Sequence, residues 1–304
     1  MTNFDITILG SNSAIFNHGR HPTAQVVNIN NACFLVDCGE GTQERLYERK
    51  IKWFKIDHIF ISHLHGDHYF GLIGLLTTFN LLKRTAKLTV FGPKELKKII
   101  DIQLRVSNTK MNYELKFVTT KDDEKRLLLD LPECSVYSIP LHHKLPTTGF
   151  LFAEKTEPRL LDLEKIKKYA IAKTDFKLLK QGLDVLDKDG RKVKNSAVTT
   201  KGKTPRSYAF CSDTMYHIPL VKAIKNVDLL YHEATFLHED LQRAKETTHS
   251  TALQAAQIAK KANAKKLLLG HFSSRYIDLS VLENEAKTVF ENVDLAIEGE
   301  VFKV

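Results

Sequence analysis

The run ISHLHGDH at residues 61–68 constrains this chain more than any other feature. It continues from His58–Ile61, a short apolar run that reads as a strand, and leads into Tyr69–Leu82, which reads as a helix. His63, His65, Asp67 and His68 place three imidazoles and one carboxylate within six residues. Residues 63, 65 and 67 cannot share one face of a helix, so the run predicts a loop between strand and helix. Imidazole and carboxylate are the donor set for zinc or manganese. Packed this closely without an ion, they would repel one another or strand buried polar atoms. The run therefore predicts a metal site on a strand-to-helix loop.

The rest of the chain alternates short apolar runs with helical patterns. Strands are predicted at Phe4–Leu9, Lys87–Phe91, Cys134–Ile139, Arg206–Cys211, Val227–Tyr231, Lys265–Leu269 and Val293–Ile297. AQVVNI and ACFLVD flank Asn30 and Asn31, which tolerate positive φ, so they predict a hairpin. Helices are predicted at Thr42–Glu48, Lys94–Leu104, Ala252–Ala262 and Val281–Phe290, the third opened by the capping-box pair Thr251 and Gln254. This mixture predicts two sheets covered by helices, not one doubly wound parallel sheet.

Further motifs narrow the reading. They are Leu9-Gly-Ser11, VDCGEGTQ at 36–43, FGL after the HLHGDH loop, Phe91-Gly-Pro-Lys94, and His143 six residues before Gly149. Ser212-Asp213-Thr214, HEATF at 232–236, HSTA at 249–252 and GHFSSRY at 270–276 follow. The HxHxDH loop resembles that of the metallo-β-lactamase superfamily. HEATF followed by HSTA resembles the ribonuclease Z family within it, endonucleases that trim the 3′ trailer from precursor tRNA. The resemblance runs along nearly the whole chain. It implies the superfamily's αβ/βα sandwich of two mixed sheets flanked by helices, formed as one domain over 1–304.

The resemblance also implies site residues. His63, His65 and His143 would hold one metal ion, Asp67, His68 and His271 a second, and Asp213 would bridge them. Two Zn2+ per chain are implied, with Mn2+ as the alternative. His142 stands beside His143, and the six-residue spacing to the glycine favours His143. Asp37 would support the metal loop from beneath. Such a centre suits hydrolysis of a phosphodiester, with Asp67 as the base. Glu233 and His249 are candidates for protonating the departing 3′ oxygen, because a carboxylate beside an imidazole keeps it a usable acid. Arg275 is a candidate contact for the scissile phosphate.

Charge singles out one segment. Lys and Arg number 45 against 36 Asp and Glu, a net charge of +9. Pro158–Thr204 alone holds thirteen basic and six acidic residues, an excess of +7, so the remainder is nearly balanced. The segment sits where ribonuclease Z carries an inserted exosite, and residues 153–197 are read as such an arm, with Lys167, Lys168, Lys177 and Lys180 as tRNA contacts. Its few apolar residues predict no core of its own. The family's Gly-Pro-rich turn is absent there, replaced by AIAKTDF at 170–176. Gly10-Ser11 and Ser212-Asp213 also stand where Gly-Thr and Gly-Asp are commoner.

The remaining expectations concern setting and alternatives. Cys33, Cys38, Cys134 and Cys211 show no paired spacing, and neither a long apolar run nor a signal peptide is visible, which points to the cytoplasm and away from a membrane. The resemblance implies a homodimer acting on precursor tRNA. A less specific phosphodiesterase of the same fold would keep every ligand but not the tRNA specialisation. A metal-bound but inactive RNA-binding module would be expected to lose Asp67 or the Glu233–His249 pair, and all three are present.

Overall fold

Strands buried on both faces need cover on both; two seven-stranded sheets packed face to face cover one face of each, and helices cover the outer faces. The computed structural model describes residues 3–304. In spatial order the first sheet runs Val301–Lys303, Phe4–Gly10, Ala24–Ile29, Ala32–Val36, Ile56–Phe60, Leu88–Gly92 and Leu115–Thr119. Its first four strands are antiparallel, and the pairs from Ala32–Val36 onward are parallel. The second runs Val293–Leu295, Lys266–Gly270, Leu229–Glu233, Ser207–Cys211, Thr148–Glu154, Cys134–Pro140 and Leu127–Asp130. There the first four strands are parallel.

Three apolar layers follow from this stacking. Between the sheets lie Phe34, Phe60, Phe91, Phe150, Phe152, Tyr208, Phe210 and Tyr231, all buried. The outer face of the first sheet packs on the helices Thr42–Glu48, Leu72–Leu81 and Lys94–Val106. The outer face of the second packs on Leu220–Ala223, Ala252–Ala262 and Ser280–Lys287. Thr251 caps Ala252–Ala262 through the reciprocal bonds of a capping box with Gln254. The helix expected over Tyr69–Leu82 is divided. A single turn, Gly66–Tyr69, precedes Leu72–Leu81. Gly71 stands at the division because its backbone lies on Gly39, where a Cβ would come within 2.2 Å of the Gly39 carbonyl oxygen.

The chain divides into two compact units, one reaching Ala153 and resuming at Arg206–Val304, the other Glu154–Pro205. The smaller unit corrects one expectation. It has its own apolar cluster of Ile166, Ile171, Leu179, Val185, Val193 and Val198, all buried. Each short element supplies one or two of these, so no periodic pattern in the sequence announced a core. Val185–Leu186 and Lys192–Val193 pair as a small hairpin turning through Gly190. All four cysteines are free and buried. No helix among the described residues is long and apolar enough to cross a membrane.

Candidate metal centre and active site

The site lies where strands end. Asp37 follows Ala32–Val36, Asp213 comes two residues after Ser207–Cys211, and His271 follows Lys266–Gly270. All three are non-glycine residues in the left-handed region, at φ 54°, 53° and 56°. Such backbone costs on the order of 1–3 kcal/mol per residue and persists where the surroundings fix it. Here parallel strands fix each residue on one side and side-chain bonds fix it on the other. The loop after Ile56–Phe60 carries His63 and His65, and the helical turn Gly66–Tyr69 carries Asp67 and His68.

Three overlapping donor groups result, each with its donor atoms within 4.8 Å of one another; one of them, Asp213, His249 and His271, shares its Asp213 and His271 with the other two. The other two are His63, His65, His143 and Asp213, and Asp67, His68 and His271. Asp213 faces both. Its Oδ2 lies 3.5 Å from His63 Nε2 and 3.7 Å from His143 Nε2, while Oδ1 lies 3.2 Å from His68 Nε2 and 3.1 Å from His271 Nε2. Asp67 Oδ2 lies 3.4 Å from His68 Nε2 and 3.5 Å from His271 Nε2. His142 is exposed and instead faces the His217 ring, 5.5 Å between centroids.

Whether these residues suit a metal is decided by the far side of each ring. His68 Nδ1 lies 2.7 Å from Asp37 Oδ2. Ser62 donates its hydroxyl to the same Asp37 oxygen at 2.9 Å, so it accepts from His63 Nδ1 at 3.0 Å. Thr235 donates to Glu233 and thus accepts from His271 Nδ1 at 3.0 Å. His143 Nδ1 donates to the Thr248 carbonyl at 3.0 Å. The Nε2 atoms of His63, His68, His143 and His271 are thereby turned inward, His65 turns its Nδ1 to the same group, and the Nε2 atoms of His68 and His271 are buried with no hydrogen-bond partner. That is the arrangement of ligand histidines, each oriented from behind. The residues fit a metal centre.

The charges agree. Burial opposes the charge on Asp213, but His271, His68 and His63 hold its carboxyl well below the usual range. Burial likewise opposes Asp67, whose pKa is lowered by His68 and His271. Burial, then His68, pushes His63 well below an ordinary imidazole, and burial lowers His143. Around His68 burial disfavours charge, yet Asp213, Asp67 and Asp37 raise its pKa well above normal, favouring a cation at that spot. Asp37 also accepts the Ser62 N–H at 2.7 Å. Asp37→Asn is expected to keep the loop and weaken metal affinity about 10–100-fold. Competition against a chromophoric chelator checks this, and unchanged affinity would leave Asp37 a purely structural residue.

A cavity of about 550 Å3 opens on the centre, lined by Ser13, Ala14, His65, Asp67, His249 and His271 among others. Ala14, itself at φ 62°, donates its N–H to Asp67 Oδ2 at 2.8 Å. His249 Nδ1 donates to Glu233 Oε1 at 2.9 Å. Burial opposes protonation of His249, but Glu233 pushes its pKa up to about 9. Glu233 is fully buried and saturated, also accepting from Thr214 N–H, Thr235 hydroxyl and Ser250 N–H. It positions His249 and does not reach the cavity. Arg275 is 53% exposed, pairs with Asp240 at 3.6 Å and is not among the lining residues. In the smaller unit Lys167, Lys168, Lys177 and Lys180 are exposed on the helices Leu163–Lys168 and Phe176–Lys180.

A family model described as Anti-Pycsar protein Apyc1 matches residues 4–121. The chain is 44% identical to ribonuclease Z of Phocaeicola vulgatus over 98% of this chain and 96% of that one. It is 45% identical to ribonuclease Z of Cytophaga hutchinsonii over 99% and 96%. The chain belongs to the ribonuclease Z family. Human tRNase Z, short form, is similar in structure at a TM-score of 0.71 and 27% identity, over 99% of each chain. The metallo-β-lactamase fold protein YhfI of Bacillus subtilis is similar at 0.69 and 19%, over 99% of this chain and 100% of that one, which supports the fold.

Several residues that build this ribonuclease Z site escaped the sequence reading. Ser62 and Thr235 stand inside the quoted motifs beside ligands, a signal that was there to use. Thr248 and Ala14 act through backbone groups, and no residue type marks that. Phe70 and Lys144 line the cavity next to ligand motifs.

Proposed function

We propose that this chain is a metal-dependent endoribonuclease that removes the 3′ trailer of precursor tRNA by phosphodiester hydrolysis, leaving a 3′-hydroxyl on the tRNA. The observation that carries the reading is Asp213, one oxygen turned to each donor group, in a chain of this family. His63, His65 and His143 would hold one ion with Asp213 Oδ2; Asp67, His68 and His271 would hold the other with Oδ1. Zinc suits five imidazoles and two carboxylates, and manganese is the alternative. Bound there, the ions supply Lewis acidity toward the scissile phosphate and a nucleophile at neutral pH.

The chain's own groups manage the protons. Asp67 has Oδ2 committed to the donor group and to Ala14 N–H, which leaves Oδ1 to orient the attacking water and take its proton. His249, charged at neutral pH, spends Nδ1–H on Glu233 and presents Nε2–H to the cavity. It delivers that proton to the departing 3′ oxygen. Glu233 holds the ring and stabilises its charge.

Substrate grip falls to the basic unit Glu154–Pro205 in this reading, and the working form is a cytoplasmic homodimer whose subunits share arms. Replacing Lys155–Lys203 with a short Gly/Ser linker is expected to keep metal content and aryl phosphodiester hydrolysis. Precursor-tRNA binding weakens, and the log–log salt slope flattens by about 0.7–0.9 per lost phosphate contact. Neutralising Lys167, Lys168, Lys177 and Lys180 does part of the same. Unchanged tRNA cleavage and salt slope would make the unit an ordinary solvated insertion and favour the less specific phosphodiesterase.

A further inference from the structure

We infer that Phe70 and Lys144 form a nucleotide subsite beside the metal centre: a base bordering the scissile phosphate stacks on the Phe70 ring, and Lys144 holds a neighbouring phosphate. This rests on the endoribonuclease reading and deepens it.

Phe70 is 61% exposed yet lines the cavity over the centre. An aromatic ring left largely in water at that spot offers an apolar face that a stacked base would bury. The backbone under the ring is held on both sides. Phe70 N–H donates to the Gly66 carbonyl at 2.9 Å, and Gly71 N–H donates to the Cys38 carbonyl at 2.9 Å. Gly71 is pressed against Gly39, as described above, so the chain is fixed on both sides of the ring. The ring lies over Gly66, where a Cβ would stand 2.3 Å from Phe70 Cε2. Gly66 opens the same helical turn that carries Asp67 and His68. A base seated on Phe70 is therefore held at a set distance from two donors of the centre.

Lys144 supplies what the ring lacks. It follows His143, is exposed, and lines the same cavity. It is the only Lys or Arg in that lining, which also contains the carboxylates Glu40, Asp67 and Asp213. No ion pair or hydrogen bond occupies its side chain among the described residues. Arg275, by contrast, is engaged by Asp240. A flat apolar face and an unpaired cation beside a hydrolytic centre match the two parts of a nucleotide. Every base has a π-face, so the stack tolerates any sequence at the cut.

The test uses metal-loaded protein and a precursor tRNA carrying 2-aminopurine next to the scissile phosphate, read by stopped-flow fluorescence before cleavage. The wild-type protein is expected to quench the probe on binding. Phe70→Leu should lose the quench and bind about 5- to 150-fold more weakly, the range of one base–aromatic stack. Phe70→Trp should retain both. Lys144→Ala should keep the quench and flatten the salt slope by about 0.7–0.9. Quenching and binding by Phe70→Leu equal to wild type would overturn the subsite, as would weakened binding explained by lost metal. A wild-type protein that neither binds nor cuts the precursor would sink the parent reading instead.

Discussion

Asp67→Ala drives cleavage of precursor tRNA and of aryl phosphodiesters below detection. The substitution removes a carboxylate whose Oδ2 lies 3.4 Å and 3.5 Å from the Nε2 atoms of His68 and His271. It also releases the N–H of Ala14, so the wall of the cavity loses its tether. Donor, base and tether vanish together, and no leaving group escapes that loss. Single-turnover assays with metal in excess measure it. Hydrolysis retained on both substrates at full metal occupancy would show that Asp67 is not the base.

His249→Ala behaves differently because His249, though within 4.8 Å of Asp213 and His271, belongs to neither set assigned to the ions and spends its Nδ1–H on Glu233. Metal content should hold, while precursor-tRNA cleavage falls about 10²–10⁴-fold, the usual worth of a general acid. An activated aryl leaving group departs without a proton, so its loss should be much smaller. Glu233→Gln should follow the same split more weakly if Glu233 acts only through the ring. Equal losses on both substrates would remove His249 from the role of acid.

How legible the molecule was depends on how local each feature is. His63, His65, Asp67 and His68 crowd six residues and declare themselves by chemistry alone. Asp213 and His271 are single residues after strands, and the left-handed backbone that turns them inward leaves no trace in composition. They were reached through resemblance. The choice between His142 and His143 is a matter of one residue in a loop, and only the fold shows which imidazole faces Asp213. Buried strands such as Phe4–Gly10 and the Ala24–Ile29 hairpin carry closely spaced apolar residues bounded by turn signals and were readable. Leu115–Thr119 and Leu127–Asp130 are short, half-exposed edge strands and were missed. Thr148–Glu154 opens on Thr148 and on Gly149, a weak strand former, so its start is not marked by an apolar pattern.

The miniature core of Glu154–Pro205 was invisible for a related reason. Two-residue strands and helices of four to six residues bury one or two side chains each, so nothing repeats. Charge was the signal there, and it spoke to function more than to folding.

The central claim is that one phosphodiester at the tRNA–trailer junction is hydrolysed with departure of the 3′ oxygen. Mapping both ends of the products from a precursor tRNA, cut by zinc- or manganese-loaded protein, tests this most directly. A single cut at the junction, a 3′-hydroxyl on the tRNA and a 5′-phosphate on the trailer are expected. Scattered cuts, a 3′-phosphate on the tRNA, or hydrolysis of aryl phosphodiesters with the precursor left intact would contradict it.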